Sequence, residues 1–201
     1  MTPKFQYEYQ SLLDVMQQKG YAVFTKGDYN LNLIGVRTGT EVTNRFDDTF
    51  ICLYYIESVP QFHQWGCTTD PGSYWMKNGG MSEKGCAIIK PGQYRGAYKL
   101  GLHQGKYKAL VQQAGPITVY RDRNKDNTYD YENPETGFFG CNIHRSSPTG
   151  TSIQVDKWSA GCQVFADIND YNRFLELCEI AKHRYGNKFT YTLLERKDFD
   201  V

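Results

Sequence analysis

The chain has no long apolar run. No stretch approaches the roughly 20 consecutive apolar residues of a membrane-spanning helix, so no span is expected. Its opening residues, MTPKFQYEYQSLLDVMQQKG, lack the basic start, apolar middle and small-residue cleavage site of a secretory signal. Charge of one sign is also missing: 23 Lys and Arg face 22 Asp and Glu, for a net charge of +1. With no long basic run, there is no electrostatic reason to expect nucleic acid as a partner. The six cysteines (Cys52, Cys67, Cys86, Cys141, Cys162 and Cys178) include no C-x-x-C pair, which argues against a zinc ribbon or a thioredoxin-like site. In a chain read as made in a reducing compartment they need not pair, and most are expected to be small buried hydrophobes. Internal repeats, low-complexity tracts and a Pro/Ser linker are absent as well, so residues 1–201 read as one domain. Nothing in the composition sets an oligomeric state.

What is present is an ordinary globular composition, 40% apolar and 22% charged, with a high aromatic share of 15% that includes 16 tyrosines. Residues 4–19 read as a helix, with Leu12, Leu13 and Met16 on one face and Gly20 as its stop. Short β-like runs follow: YAVF, NLNLIGVR, TFICLYYIE, YWM, CAIIK, YKALVQQ, ITVY and FFGCNIH. Turn signals such as Asp70-Pro71-Gly72, Gly79-Gly80 and Pro91-Gly92 separate them. Asp167 to Asn169 cap an amphipathic helix whose apolar positions Tyr171, Phe174, Leu175, Cys178, Ala181 and Tyr185 keep helical spacing up to Gly186, and FTYTLL closes as a strand. The expected class is mostly β (α+β), a sandwich or barrel with helical cover.

The chemistry concentrates in NIHRSSPTGTSIQVDKWSAGC, residues 142–162. Alternation through FFGCNIH puts Phe139, Cys141 and Ile143 on one face and Gly140, Asn142 and His144 on the other, so His144 is expected to point away from the core at a strand end. Cys162 follows Gly161, which permits torsions closed to other residues and lets a substrate approach the main chain. The amides of Gly161 and Cys162 are placed to face a developing oxyanion. A thiol is mostly protonated at neutral pH, so a nucleophilic cysteine needs a base, and an imidazole supplies it. Spacing alone does not separate this reading from a buried thiol and an unrelated histidine.

The residues carry a resemblance. Fourteen positions separate His144 from Ser159-Ala160-Gly161-Cys162, and this arrangement resembles the active-site signature of the L,D-transpeptidase (YkuD-like) catalytic domain, a histidine followed at similar spacing by Ser/Thr-His-Gly-Cys. The likeness is most specific over residues 137–165. It extends loosely to 65–165, where TTDPGSYWM and AIIKPGQYRGAYKLGLH are similar to the family's Thr-Pro-x-Gly-x-Tyr turns, and does not reach the N-terminal helix. It implies a sandwich of mixed sheets, with Cys162 as nucleophile, His144 as base, the carbonyl of Arg145 orienting the imidazole and Ser159 shaping the pocket. Substrate contacts are expected from Trp158, Ala160, Asn142, His103 and Tyr94. Two positions depart from the pattern: Ala160 replaces the second histidine, and Val164 stands where an arginine is usual. The implied substrate is a peptidoglycan stem peptide, cut between meso-diaminopimelate and D-alanine. The resulting thioester passes to an amine (cross-linking) or to water (carboxypeptidase or endopeptidase). No metal or organic cofactor is needed for that chemistry. A leaderless chain of this kind fits an enzyme reaching the wall after lysis or on a virion, such as a phage wall hydrolase. Two alternatives stand beside it: a cytosolic thiol amidase or peptidase, and a non-catalytic wall-binding or virion module, which Ala160 and Val164 favour.

Asp122, Asn124, Asp126 and Asp130 sit at positions one, three, five and nine of a calcium-loop-like pattern, but Asn127 replaces its glycine and Asn133 its final glutamate. A hydrophilic hairpin tip is the plainer reading. His103, in GLHQGKY, is the second histidine of interest, able to line the groove or donate to substrate. His63 and His183 have no such context, and Trp65, Tyr74 and Trp75 read as packing residues.

Overall fold

The computed structural model describes residues 2–39 and 41–200. Two strands, β1 (Asn32–Arg37) and β2 (Asp48–Ile56), are apolar almost without interruption, and both are buried along nearly their whole length. A strand reads this way when both of its faces are covered. One face carries Leu33, Phe50, Cys52 and Tyr54 into the main core. The other carries Ile34, Val36, Ile51 and Leu53 beneath helix α1 (Tyr9–Gln18), whose Leu12, Val15 and Met16 are buried there. Truncating Leu12 to alanine at such a site costs about 2–5 kcal/mol.

β2 turns into β3 (Val59–Thr68) through Glu57 and Ser58, both at positive φ (49° and 67°), as a two-residue hairpin requires. β4 (Cys86–Ile89), β5 (Gly92–His103), β6 (Tyr107–Val111), β7 (Ile117–Asp122) and β8 (Glu135–Gly137) follow. Then come β9 (Ile143–Arg145), β10 (Gln163–Phe165), helix α3 (Ile168–Tyr185) and β11 (Phe189–Glu195). Eight strands close into a barrel in the order β1-β11-β5-β6-β9-β10-β3-β2, and β4, β7 and β8 form a separate small sheet. The expected class, mostly β with helical cover, is what the chain adopts, but as a closed barrel with an added sheet and not specifically a sandwich. Side-chain alternation sets which face of a strand is buried. It does not set which edges meet, and here β1 pairs β11 in parallel while short β9 and β10 join β6 to β3. No helix among the described residues is long and apolar enough to cross a membrane.

Several element expectations are corrected. α1 starts at Tyr9, not at residue 4, because the preceding segment is tied to β3: Tyr7 N–H donates to Gln64 Oε1 (2.9 Å) and Gln64 Nε2 donates to the Tyr7 carbonyl (3.0 Å). YAVF pairs with side-chain amides where a strand would use a neighbour's backbone. Ala22 exchanges both bonds with Gln93, and Phe24 both with Asn32. YWM lies in the short helix α2 (Ser73–Asn78), stopped by Gly79 in the left-handed region. Of FFGCNIH, only Ile143 onward is strand, since Gly140 at φ +69° bends the chain. The long β3 and β5 carry no clear strand signal in the sequence, because Pro60, Gly66, Gly92, Gly96 and Gly101 punctuate them like turns.

Candidate active site

Three reactive side chains converge from distant parts of the chain. His103 ends β5, His144 is the middle residue of β9, and Cys162 immediately precedes β10. β9 and β10 run parallel, with His144 opposite Val164, and β6 bonds β9 through Leu110 and Ile143, bringing the β5–β6 hairpin alongside. A ring nitrogen of each histidine and Cys162 Sγ all lie within 4.8 Å of one another. The two imidazoles stack, centroids 4.0 Å apart and planes at 26°.

The nucleophile turn is built from its own backbone. Buried Ser159 donates from Oγ to the carbonyl of Cys162 (2.7 Å) and accepts the N–H of Gly161 (3.2 Å). Gly161 holds φ +128°, and a Cβ there would lie 2.2 Å from the carbonyl oxygen of Ala87 on β4. Glycine is therefore required for both torsion and space. One expectation changes here: the Gly161 amide is committed to Ser159, so it does not join the Cys162 amide as a free oxyanion donor. Val164 is fully buried with Phe46, Val155 and Ala166, and Cys162 packs against this cluster. An arginine at 164 would place an unpaired charge among apolar side chains. Ala160 lines the open cleft.

His144 is 2% exposed. The alternation pointed it away from the core, but what covers it is His103, not water. Its Nδ1 is 2.7 Å from the Arg145 carbonyl, which can only accept, so Nδ1 carries the proton. Tyr107 Oη sits 3.1 Å from the same nitrogen and donates to that carbonyl at 3.4 Å, while the Arg145 guanidinium lies over the Tyr107 ring at 4.1 Å. Nε2 is buried and without a hydrogen-bond partner, so its lone pair is left unused. Burial, then the neighbouring His103, push the His144 pKa down to about 3. Half-buried Cys162 is pushed up to about 11 by burial, opposed by the backbone N–H of Asn142, and its Sγ lies 3.6 Å from the Gly140 carbonyl. The resting pair is thus neutral thiol and neutral imidazole, and proton transfer must accompany attack.

Cys162 opens on a cleft of about 310 Å³ whose lining includes Gly140, Cys141, Ala160, Met81, Ser82, Arg121 and Phe138. Met81 and Phe138 are exposed, giving an apolar rim, and Arg121 stacks on Phe139 at 4.7 Å. Sequence reasoning missed these wall residues, as well as Tyr107 and Gln112. Gln112 is buried and accepts the amides of Phe139 (2.7 Å) and Gly140 (3.0 Å), fixing the loop that faces the thiol. No local signal marks them, since they matter only through contacts distant in sequence. Trp158 is exposed and outside the cleft lining. Tyr94 also stands outside it, its hydroxyl donating to the carbonyls of Lys90 and Thr118. A second cleft of about 300 Å³, lined in part by Lys4, Asp47, Asp48 and Asp70, has no histidine or cysteine in its walls.

His, His and Cys are zinc-ligand types, and one ligand atom of each lies within 4.8 Å of the others, with the two rings stacked. In the calcium-like loop, Asn124 Nδ2 donates to Asp126 (3.1 Å) and Asp130 (3.0 Å), and Asp122 accepts the Asp130 amide (3.3 Å). An amide donor thus stitches together the oxygens that a cation would gather. Burial pushes the Asp122 carboxyl up to about 6.

No protein-family model matches this chain, and no curated protein and no solved structure matches it.

Proposed function

We propose that this protein is a cysteine acyltransferase or hydrolase acting on peptidoglycan stem peptides through a thioester on Cys162. The carrying observation is the convergence of Cys162 Sγ, which lines the cleft, and a His144 whose Nδ1–H is held by the Arg145 carbonyl, leaving Nε2 as base. His144 Nε2 takes the thiol proton as Sγ attacks the substrate carbonyl, and the carbonyl π pair moves to oxygen. When the C–N bond breaks, the proton leaves on the departing D-alanine amine and the thioester remains. Water or a second amine then attacks the thioester, giving its proton to the same Nε2, and Cys162 departs to recover it. The Cys162 amide is one donor to the oxyanion. The substrate class rests on the likeness of His144 and Ser159-x-Gly161-Cys162 to the L,D-transpeptidase signature.

Incubation with purified disaccharide-tetrapeptide, followed by mass analysis, is expected to show D-alanine loss, a cross-linked dimer or bond cleavage. Cys162→Ala is expected to lower the rate by about four orders of magnitude while leaving the melting temperature within a few degrees. Absence of all three products with wild type, or undiminished turnover by Cys162→Ala, would overturn the reading. The high thiol pKa favours one competing reading, an inert wall-binding module. It requires sacculus binding and a Cys162 alkylated no faster than the five buried thiols.

A further inference from the structure

The oxyanion site is incomplete as the backbone builds it, because the Gly161 amide serves Ser159. A group placed beside it is His103, 8% exposed, stacked on His144 and clustered with Cys162. Its tautomer is set by a relay. The backbone N–H of Gln112 donates to Asn142 Oδ1 (2.9 Å), which orients that amide so that Asn142 Nδ2 donates to His103 Nδ1 (3.1 Å). With Nδ1 accepting, the proton of the neutral ring lies on Nε2. The two stacked imidazoles are therefore opposite tautomers: His144 offers a lone pair at Nε2, and His103 offers an N–H. The same relay opposes metal binding at His103, since a metal on Nε2 would require Nδ1–H to face the Asn142 amide donor.

We propose that His103 is a further catalytic residue, a neutral Nε2–H donor to the substrate oxygen on which charge develops as Cys162 attacks. A ring nitrogen of His103 lies within 4.8 Å of Cys162 Sγ, so an oxygen on the carbon that Sγ attacks comes within reach of the His103 ring. No proton leaves His103: Sγ–C bond formation sends the carbonyl pair to oxygen, the thiol proton goes to His144, and His103 only donates a hydrogen bond. Burial, Lys106 and Arg145 lower the His103 pKa and keep the ring neutral.

The inference rests on Cys162 being an acylating nucleophile but not on the substrate being peptidoglycan. The test therefore uses p-nitrophenyl acetate, which acylates the thiol and releases p-nitrophenolate, with iodoacetamide as a second probe whose reaction forms no oxyanion. His103→Phe keeps the ring stack and removes the donor. It is expected to lose about 100-fold in kcat for acylation with little change in KM, and to be alkylated within threefold of the wild-type rate. His103→Gln, which restores a terminal N–H, is expected within tenfold of wild-type kcat. Wild-type kcat in His103→Phe, alkylation falling in step with acylation, or a Gln variant as impaired as the Phe variant would each overturn the proposal. If the Phe variant does not fold, His103→Leu takes its place with the same outcomes. Acylation by the ester without turnover of muropeptides would sink the peptidoglycan reading alone.

Discussion

The barrel and the small sheet divide the labour of the cleft. The barrel strands and the turn before β10 supply every reactive group, His103, His144 and Cys162, each held by bonds to main-chain atoms or to a side chain so held. The small sheet and its loops supply a wall: Met81, Arg121 and Phe138, with Ala87 at the seam. Chemistry needs atoms held to fractions of an ångström, which a closed barrel with paired edges provides. A wall needs only shape and apolar surface, and exposed loop residues suffice.

The sharpest way to break this division is at the seam. Gly161→Ala pushes a Cβ against the Ala87 carbonyl at a φ that alanine resists. It is expected to destabilise the fold by about 3 kcal/mol, lowering the melting temperature by roughly 6–12 °C, and to abolish Cys162 reactivity. Unchanged melting with full reactivity would show the two parts to be independent.

Acid gives the next effect. His144 has its pKa depressed from the ordinary 6.5 to about 3, so its neutral form is the one the fold accepts. Its contribution is complete above pH 6.5 and is lost as the pH falls from there toward 3, because the unfolded chain takes up the proton first. Denaturant melts are expected to lose a few kcal/mol between pH 7 and pH 4. His144→Phe, which cannot protonate, is expected to flatten that slope, and an equally steep slope in the variant would place the acid sensitivity elsewhere. The smallest effect belongs to the wall. Phe138→Ala removes a side chain that is 63% exposed, with stability expected to move by less than about 0.5 kcal/mol. KM for the muropeptide should rise about threefold with kcat unchanged, and a fall in kcat would mean that the wall positions the reacting carbonyl.

The legible parts of this molecule are local ones. α3 could be read from Asp167 to Gly186 because its cap, its apolar spacing and its stop all lie within twenty residues, and Asp167 does accept the amides of Asn169 and Asp170. Ser159-Ala160-Gly161-Cys162 was legible as a turn because glycine's torsional freedom is written in the residue itself. YAVF misled because its strand-like composition is satisfied by the amides of Gln93 and Asn32, one of them far along the chain. Val164 raised a question that sequence could not answer, and packing against Phe46 and Val155 answers it: the position faces a core.

The sequence by itself determined the reactive vocabulary: a histidine in an alternating run, a glycine-backed cysteine, and strands apolar enough to be covered on both faces. Each follows from side-chain type and spacing over a few residues. Only the tertiary structure decided that His103 stacks on His144, that Gln112 and Asn142 set its tautomer, that the Gly161 amide turns inward, and that eight strands close. Most of these depend on which strand edges pair across twenty or more residues, as Ile143 with Gln163 and Leu110 with Ile143, and that choice is made by the packing of the whole core.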